Sequence, residues 1–126
     1  MKAARAYRPI VYVCFPFSEN VKENAANARK YCRFAMECGY TPIAPHLLYP
    51  QFLNDNDPVE RDLGLHFGNV LMSYCAEVWV FGETISTGMD AEIRRAKRKN
   101  YRLRYFNSTL EEVPDIKCRK GETENA

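Results

Sequence analysis

No stretch of this 126-residue chain approaches the length of a membrane helix. The longest apolar run, residues 10–17, is eight residues and contains Pro16, whereas a bilayer span needs roughly 18. No Cys-x-x-Cys pair occurs among the five cysteines, Cys14, Cys32, Cys38, Cys75 and Cys118. The odd count and the spacing suggest neither a disulfide framework nor a zinc site. Little charge is left over: 18 Lys and Arg stand against 16 Asp and Glu, a formal +2. That excess is too small to imply a nucleic-acid or membrane partner. A glycine-rich phosphate loop is missing, because Phe15-Pro16-Phe17 stands where a Gly-x-Gly would follow the first strand. A dinucleotide cofactor is therefore disfavoured. Met1-Lys2-Ala3-Ala4-Arg5 is not followed by an apolar h-region and a small-residue cleavage site, so a reduced, cytoplasmic protein is expected.

What is present is the balance of a globular domain, 46% hydrophobic and 27% charged. A chain of this size buries roughly two-thirds of its unfolded surface, enough for a core without staples. Residues 9–14, Pro-Ile-Val-Tyr-Val-Cys, are β-branched and aromatic without polar alternation, the pattern of a strand buried on both faces. Ser18 or Asn20 can cap a helix whose apolar positions Val21, Ala25, Ala28, Cys32, Ala35 and Met36 repeat at helical spacing. Gly39 follows as its stop. Residues 40–44 predict a second strand near an edge, since Pro42 lacks a ladder donor. Residues 45–56 predict a long loop. Asp57-Pro58-Val59-Glu60 is a helix start with a cap, an N1 proline and an N3 carboxylate. That helix is expected to run to about Tyr74 with Leu63, Phe67, Val70, Leu71 and Tyr74 inward. Residues 77–81 predict a third buried strand, residues 88–100 a helix with Met89, Ile93 and Ala96 on one stripe, and residues 102–106 a fourth strand. The expected organisation is an N-terminal extension over 1–8, a domain over 9–116 and a flexible tail over 117–126.

Alternation of buried strands with helices argues for a parallel sheet. Ligands of such sheets bind beyond the carboxyl ends of the strands, near a topological switch point. That rule selects the loops 15–20, 45–57 and 82–88. In the last, Ser86-Thr87-Gly88-Met89-Asp90-Ala91-Glu92 enters a helix directly after a buried strand. Ser86 or Thr87 can cap it, and Gly88 permits close approach of a ligand. Glu92 lies one turn in, where a carboxylate can serve at a sugar carbon or simply complement the helix dipole and pair with Arg95. Tyr12, on the first strand, reads by pattern as a packed core aromatic, and His46 as a ligand contact or a turn cap. His66 suits a surface or an interface. Arg94, Arg95, Lys97, Arg98, Lys99, Arg102 and Arg104 form a basic block that reads as an RNA-binding or a solvated face.

At these residues the chain resembles the nucleoside 2-deoxyribosyltransferase-like superfamily, in particular a small bacterial and phage branch. Three stretches carry the resemblance, residues 11–17, residues 76–82 and residues 86–92, and residues 44–53 also look typical of the small branch. It implies a Rossmann-like or flavodoxin-like three-layer sandwich with a four- to five-stranded parallel sheet. It also implies cleavage of a nucleoside or nucleotide N-glycosidic bond, by hydrolysis or (deoxy)ribosyl transfer, with Glu92 as nucleophile in a Ser-x-Gly-x-x-x-Glu pattern. Ser86 and Gly88 would then contact phosphate or sugar, and Tyr12 would line the pocket. Phe15 and Pro16 replace the family's Gly-Ser type loop, and His46 is a candidate acid. An aspartate that active members carry before the third strand falls at Gly68, beside Asn69. The expected partner is a small nucleoside or nucleotide, within a homo-oligomer; neither metal nor redox cofactor is implied. A non-catalytic nucleotide-binding or sensing module is the alternative.

Overall fold

The computed structural model describes residues 6–16 and 21–118; the proposed caps Ser18 and Asn20, with Phe17, lie outside them. Five strands form one sheet: β1 (Ile10–Cys14), β2 (Thr41–Ile43), β3 (Glu77–Phe81), β4 (Arg102–Phe106) and β5 (Glu112–Val113). Their order is β2-β1-β3-β4-β5. The β1–β2, β1–β3 and β3–β4 pairs are parallel, and β5 joins β4 antiparallel. This is the flavodoxin-like order, with its switch point between β1 and β3. The helices are α1 (Val21–Glu37), a short α2 (Pro45–Leu48), α3 (Pro58–Met72) and α4 (Thr87–Arg98). The segment expected as a loop thus holds one helical turn, followed by a 3₁₀ turn over Tyr49–Gln51. Pro45 at N1 and Pro50 start those turns without losing a needed donor.

Strand alternation sorts the core into two layers. Val11, Val13, Phe15, Trp79, Phe81 and Phe106 meet Ala28, Tyr31 and Ala35 of α1 on one face. Tyr12, Cys14, Val78, Val80 and Tyr105 meet Met72 of α3 and Met89, Ile93 and Ala96 of α4 on the other. Trp79 centres the first layer. Arg104 lies 4.7 Å from its ring centroid, and its Nε1 donates to Glu77 Oε1 at 2.8 Å. Tyr40 Oη also donates to Glu77, at 2.9 Å, and Arg104 forms a two-pronged pair with Glu112 at 2.9 and 2.8 Å. Arg104 is thus part of the packed network, not of a wholly solvated basic face.

α3 departs from its expected orientation. Asp57 caps it, accepting from Val59 N at 3.0 Å. Its buried side is Gly68 and Met72, while Leu63, Val70 and Tyr74 are exposed. The reason is close approach. A Cβ at Gly64 would lie 3.3 Å from Leu53, and one at Gly68 would lie 3.3 Å from Tyr12 Oη. The helix therefore turns its small residues to the sheet and leaves a large apolar stripe outside. α4 begins as expected: Ser86 Oγ accepts from Met89 N at 3.3 Å. The loop before it is tied from downstream, Ile85 N donating to Lys117 O at 2.9 Å and Ser108 N to Glu83 Oε1 at 2.9 Å. Lys117 and Cys118, assigned to the tail from sequence, thus lie against Ile85; residues 119–126 lie outside the described residues.

Candidate functional site

Parallel register brings the carboxyl ends of β1 and β3 level, with Cys14 opposite Val80. Tyr12 and Cys14 are two residues apart, so both point to the α3–α4 face. α4 starts just beyond β3, and its second turn places Glu92 over them. Tyr12 Oη donates to Glu92 Oε2, and Cys14 Sγ donates to Glu92 Oε1 at 3.5 Å. His46, in the first turn of α2 after β2, places Nε2 3.4 Å from Glu92 Oε2. Glu92 retains 13% side-chain exposure and His46 32%, so the carboxylate is enclosed but reachable. Phe15 sets its ring edge-on to His46 at 5.9 Å. Gly68 leaves the room in which the Tyr12 hydroxyl sits.

The electrostatics follow from this packing. Burial first, and then the Glu92 charge and hydrogen bond, hold Tyr12 and Cys14 well above their usual ionisation ranges. Both groups are therefore neutral donors at physiological pH. For His46, burial works against the imidazolium. The hydrogen bond and charge of Glu92, with the charge of Asp55, outweigh it and raise its titration point. The result is a carboxyl group beside an imidazole that keeps its proton to higher pH than a free one, an arrangement suited to nucleophilic attack coupled to proton donation.

The profile of a domain of unknown function, DUF7768, matches residues 9–106. The chain belongs to the DUF7768 family. A search of curated proteins found no match. Among solved structures, this DUF7768 domain is similar to a 2-deoxyribosyltransferase from the psychrotolerant bacterium Bacillus psychrosaccharolyticus. The TM-score is 0.60 at 15% identity, over 82% of this chain and 76% of that one. The likeness shows the shared α/β fold. Among the described residues no helix is long and apolar enough to cross a membrane.

Of the sequence-selected residues, the DUF7768 fold brings Tyr12, His46 and Glu92 into contact, with Phe15 behind His46. Pro16 instead lies beside Gly82, whose added Cβ would sit 3.6 Å from it. Gly82 has φ +129° and spaces the turn that leads toward α4. Ser86 is occupied as the α4 cap, and a Cβ at Gly88 would meet nothing within 4 Å. Arg95, weighed as a partner of Glu92, does not pair with it; its Nε is buried without a hydrogen-bond partner. Tyr49, in the 3₁₀ turn after α2, packs on Phe67 of α3 at 5.1 Å. A groove of about 380 Å³ between α4 and residues 115–118 is not lined by Glu92. Cys14 and Asp55 were missed. Cys14 reads in sequence as a small buried hydrophobe, and its two-residue offset from Tyr12 was the available signal.

Proposed function

We propose that this DUF7768 domain cleaves the N-glycosidic bond of a nucleoside or nucleotide, with Glu92 as nucleophile. The observation that carries this reading is the Glu92 carboxylate gripped by Tyr12, Cys14 and His46 at the switch point. A carboxylate oxygen forms a bond to C1′ as the C1′–N bond breaks. The bonding pair leaves with the base, which takes a proton from the His46 imidazolium. Water or a second base then displaces the carboxylate from C1′, giving hydrolysis or transfer. A fixed carboxylate opposite an oxocarbenium-like transition state supplies electrostatic stabilisation. Ser86 and Gly88 at the start of α4 would hold the sugar or its phosphate. Five unpaired thiols suit a reducing compartment, so we place the domain in the cytoplasm. No metal or redox group enters this chemistry.

The test is incubation with ribo- and deoxynucleosides and their 5′-monophosphates, with and without an acceptor base. Chromatography reads free base and thermal shift reads binding. Time-dependent base release is expected. A ligand-dependent shift without release would favour a binding or sensing module, the reading favoured by Gly68 at the place where the resembled enzymes carry an aspartate.

Because His46 must donate a proton, the rate is expected to fall as pH rises through its titration point. That point is raised, so the alkaline limb should lie above the ordinary histidine value of about 6.5. Stability should follow the same sign. The raised value makes His46 stabilising below about pH 6.5 and progressively less so as pH rises through the folded-state value. A His46→Gln variant should therefore melt lower than wild type at pH 6 and converge on it at alkaline pH. A difference that grows with pH would refute the assignment.

For assembly we propose a homo-oligomer formed through α3. Val59, Leu63, His66, Val70 and Tyr74 recur at spacings of three and four residues, opposite the Gly68 side. The order is close to palindromic about His66, so an antiparallel second copy sets Leu63 near Val70 of its partner. It also keeps Glu60, Arg61 and Asp62 away from their own counterparts. Light scattering at tens of micromolar should give at least a dimer mass and Leu63→Glu a monomer. A monomeric wild type would sink the idea.

A further inference from the structure

We infer that Cys14 is a positioning residue for Glu92 and that Glu92 attacks through Oε1. The inference rests on Glu92 being the nucleophile. A carboxylate has about four lone-pair sites, two on each oxygen. Oε2 accepts from Tyr12 Oη and also faces His46 Nε2 at 3.4 Å, so two neighbours engage that oxygen. Oε1 accepts from Cys14 Sγ at 3.5 Å, which leaves one lone pair. That pair forms the bond to C1′ while the base departs with the C1′–N electrons and the His46 proton.

The identity of the donor matters as much as its place. An O–H or N–H donor to a carboxylate makes a strong, charge-assisted bond that withdraws electron density. A thiol is a weak donor. Cys14 therefore holds the plane of the carboxylate without quenching the oxygen that reacts. It is fully buried, and the same carboxylate keeps its proton on sulfur, so it donates at every physiological pH and does not compete as a thiolate. The strand supplies the precision: Cys14 pairs with Val80 in the register that sets Tyr12 against Val78. The two donors thus rise from one rigid face toward one carboxylate.

Cys14→Ala removes the donor at nearly constant packing, and Cys14→Ser replaces it with a stronger one. The carboxyl carbon of Glu92 would be titrated by ¹³C NMR in wild type and both variants, alongside kcat and KM for base release. Proton affinity of Glu92 should rise about twofold in Cys14→Ala, because a thiol is a weak donor, and fall about fivefold in Cys14→Ser, the size of one ordinary hydrogen bond. In both variants kcat should drop about tenfold with KM within about twofold, as expected when only the transition state is affected. Cys14→Thr serves as a second hydroxyl variant should Cys14→Ser not fold. If Glu92 titrates identically in all folded variants, Cys14 is a packing residue and the inference is overturned. If the titrations separate as expected but wild type releases no base, Cys14 does position the carboxylate, while the N-glycosidic reading and the attack through Oε1 both fail.

Discussion

Glu92→Gln is expected to lower base release by at least about a thousandfold, a loss of roughly 4 kcal/mol of transition-state stabilisation. The amide is nearly the same size, so the fold should survive. It is a poor nucleophile and carries no charge to face an oxocarbenium-like centre. It also cannot accept from Tyr12, His46 and Cys14 at once, because one end of the amide is now a donor. An internal control accompanies the loss of rate. In wild type, Glu92 is the largest contribution that raises His46 against burial. Without that charge burial gains weight against the remaining raising charge of Asp55, and the His46 titration point should fall below its wild-type position. Chromatographic base release measures the first effect and histidine NMR titration the second. Retention of more than about a tenth of the wild-type rate would remove Glu92 from the nucleophile's role. An unmoved His46 would show that the pair is not formed in solution.

Trp79→Ala is expected to cost about 3–5 kcal/mol of folding stability, the range for deleting a buried aromatic. Trp79 is fully buried in β3 and sits among Tyr40 at 4.6 Å, Phe106 at 4.9 Å and Phe34 at 6.1 Å. Truncation opens a cavity between the sheet and α1 and removes the surface beneath Arg104. It also takes from Glu77 its buried indole donor, and a half-satisfied buried carboxylate adds to the penalty. Since domains are stable by only about 5–15 kcal/mol, the variant should be close to unfolding at 37 °C. Urea denaturation followed by far-UV circular dichroism is the suitable measurement, because Trp79 is the sole tryptophan. A midpoint shift worth less than about 1 kcal/mol would mean that α1 collapses onto the sheet and fills the space.

The two variants test different layers of one sheet. Trp79 faces α1, whereas Tyr12 and Cys14 face α3 and α4. Their effects should therefore be nearly additive, as for separated sites. A Glu92→Gln protein that still folds at 37 °C without releasing base, beside a Trp79→Ala protein that scarcely folds, would separate chemistry from scaffold cleanly.

The turns over 45–51 and the antiparallel β5 were not legible along the chain, whereas the order of the four parallel strands and three long helices, the Asp57 cap, a cap at Ser86 or Thr87 and the inward stripe of Met89, Ile93 and Ala96 were. Each depends on residues within a turn or two of one another, and hydrophobic period and capping are local properties. The orientation of α3 was not legible. Its pattern carries apolar residues on two sides, and which side turns inward depends on how closely Tyr12 and Leu53 approach Gly68 and Gly64. Hydrophobicity alone favours burying the larger side chains; the space available favours the glycines.

The site divides the same way. Glu92, Tyr12 and His46 stood out as candidates from their places at strand and helix ends and from a family resemblance. Cys14 and Gly68 passed as core and as a vacant position. Their roles depend on contacts between residues 80 positions apart for Tyr12 and Glu92 and 78 apart for Cys14 and Glu92. Residue type and short-range period specify which elements form and which face each presents. The oxygen to which each donor points is set by the parallel register of β1 against β3 and by the height of α4 above them, which exist once the chain has packed.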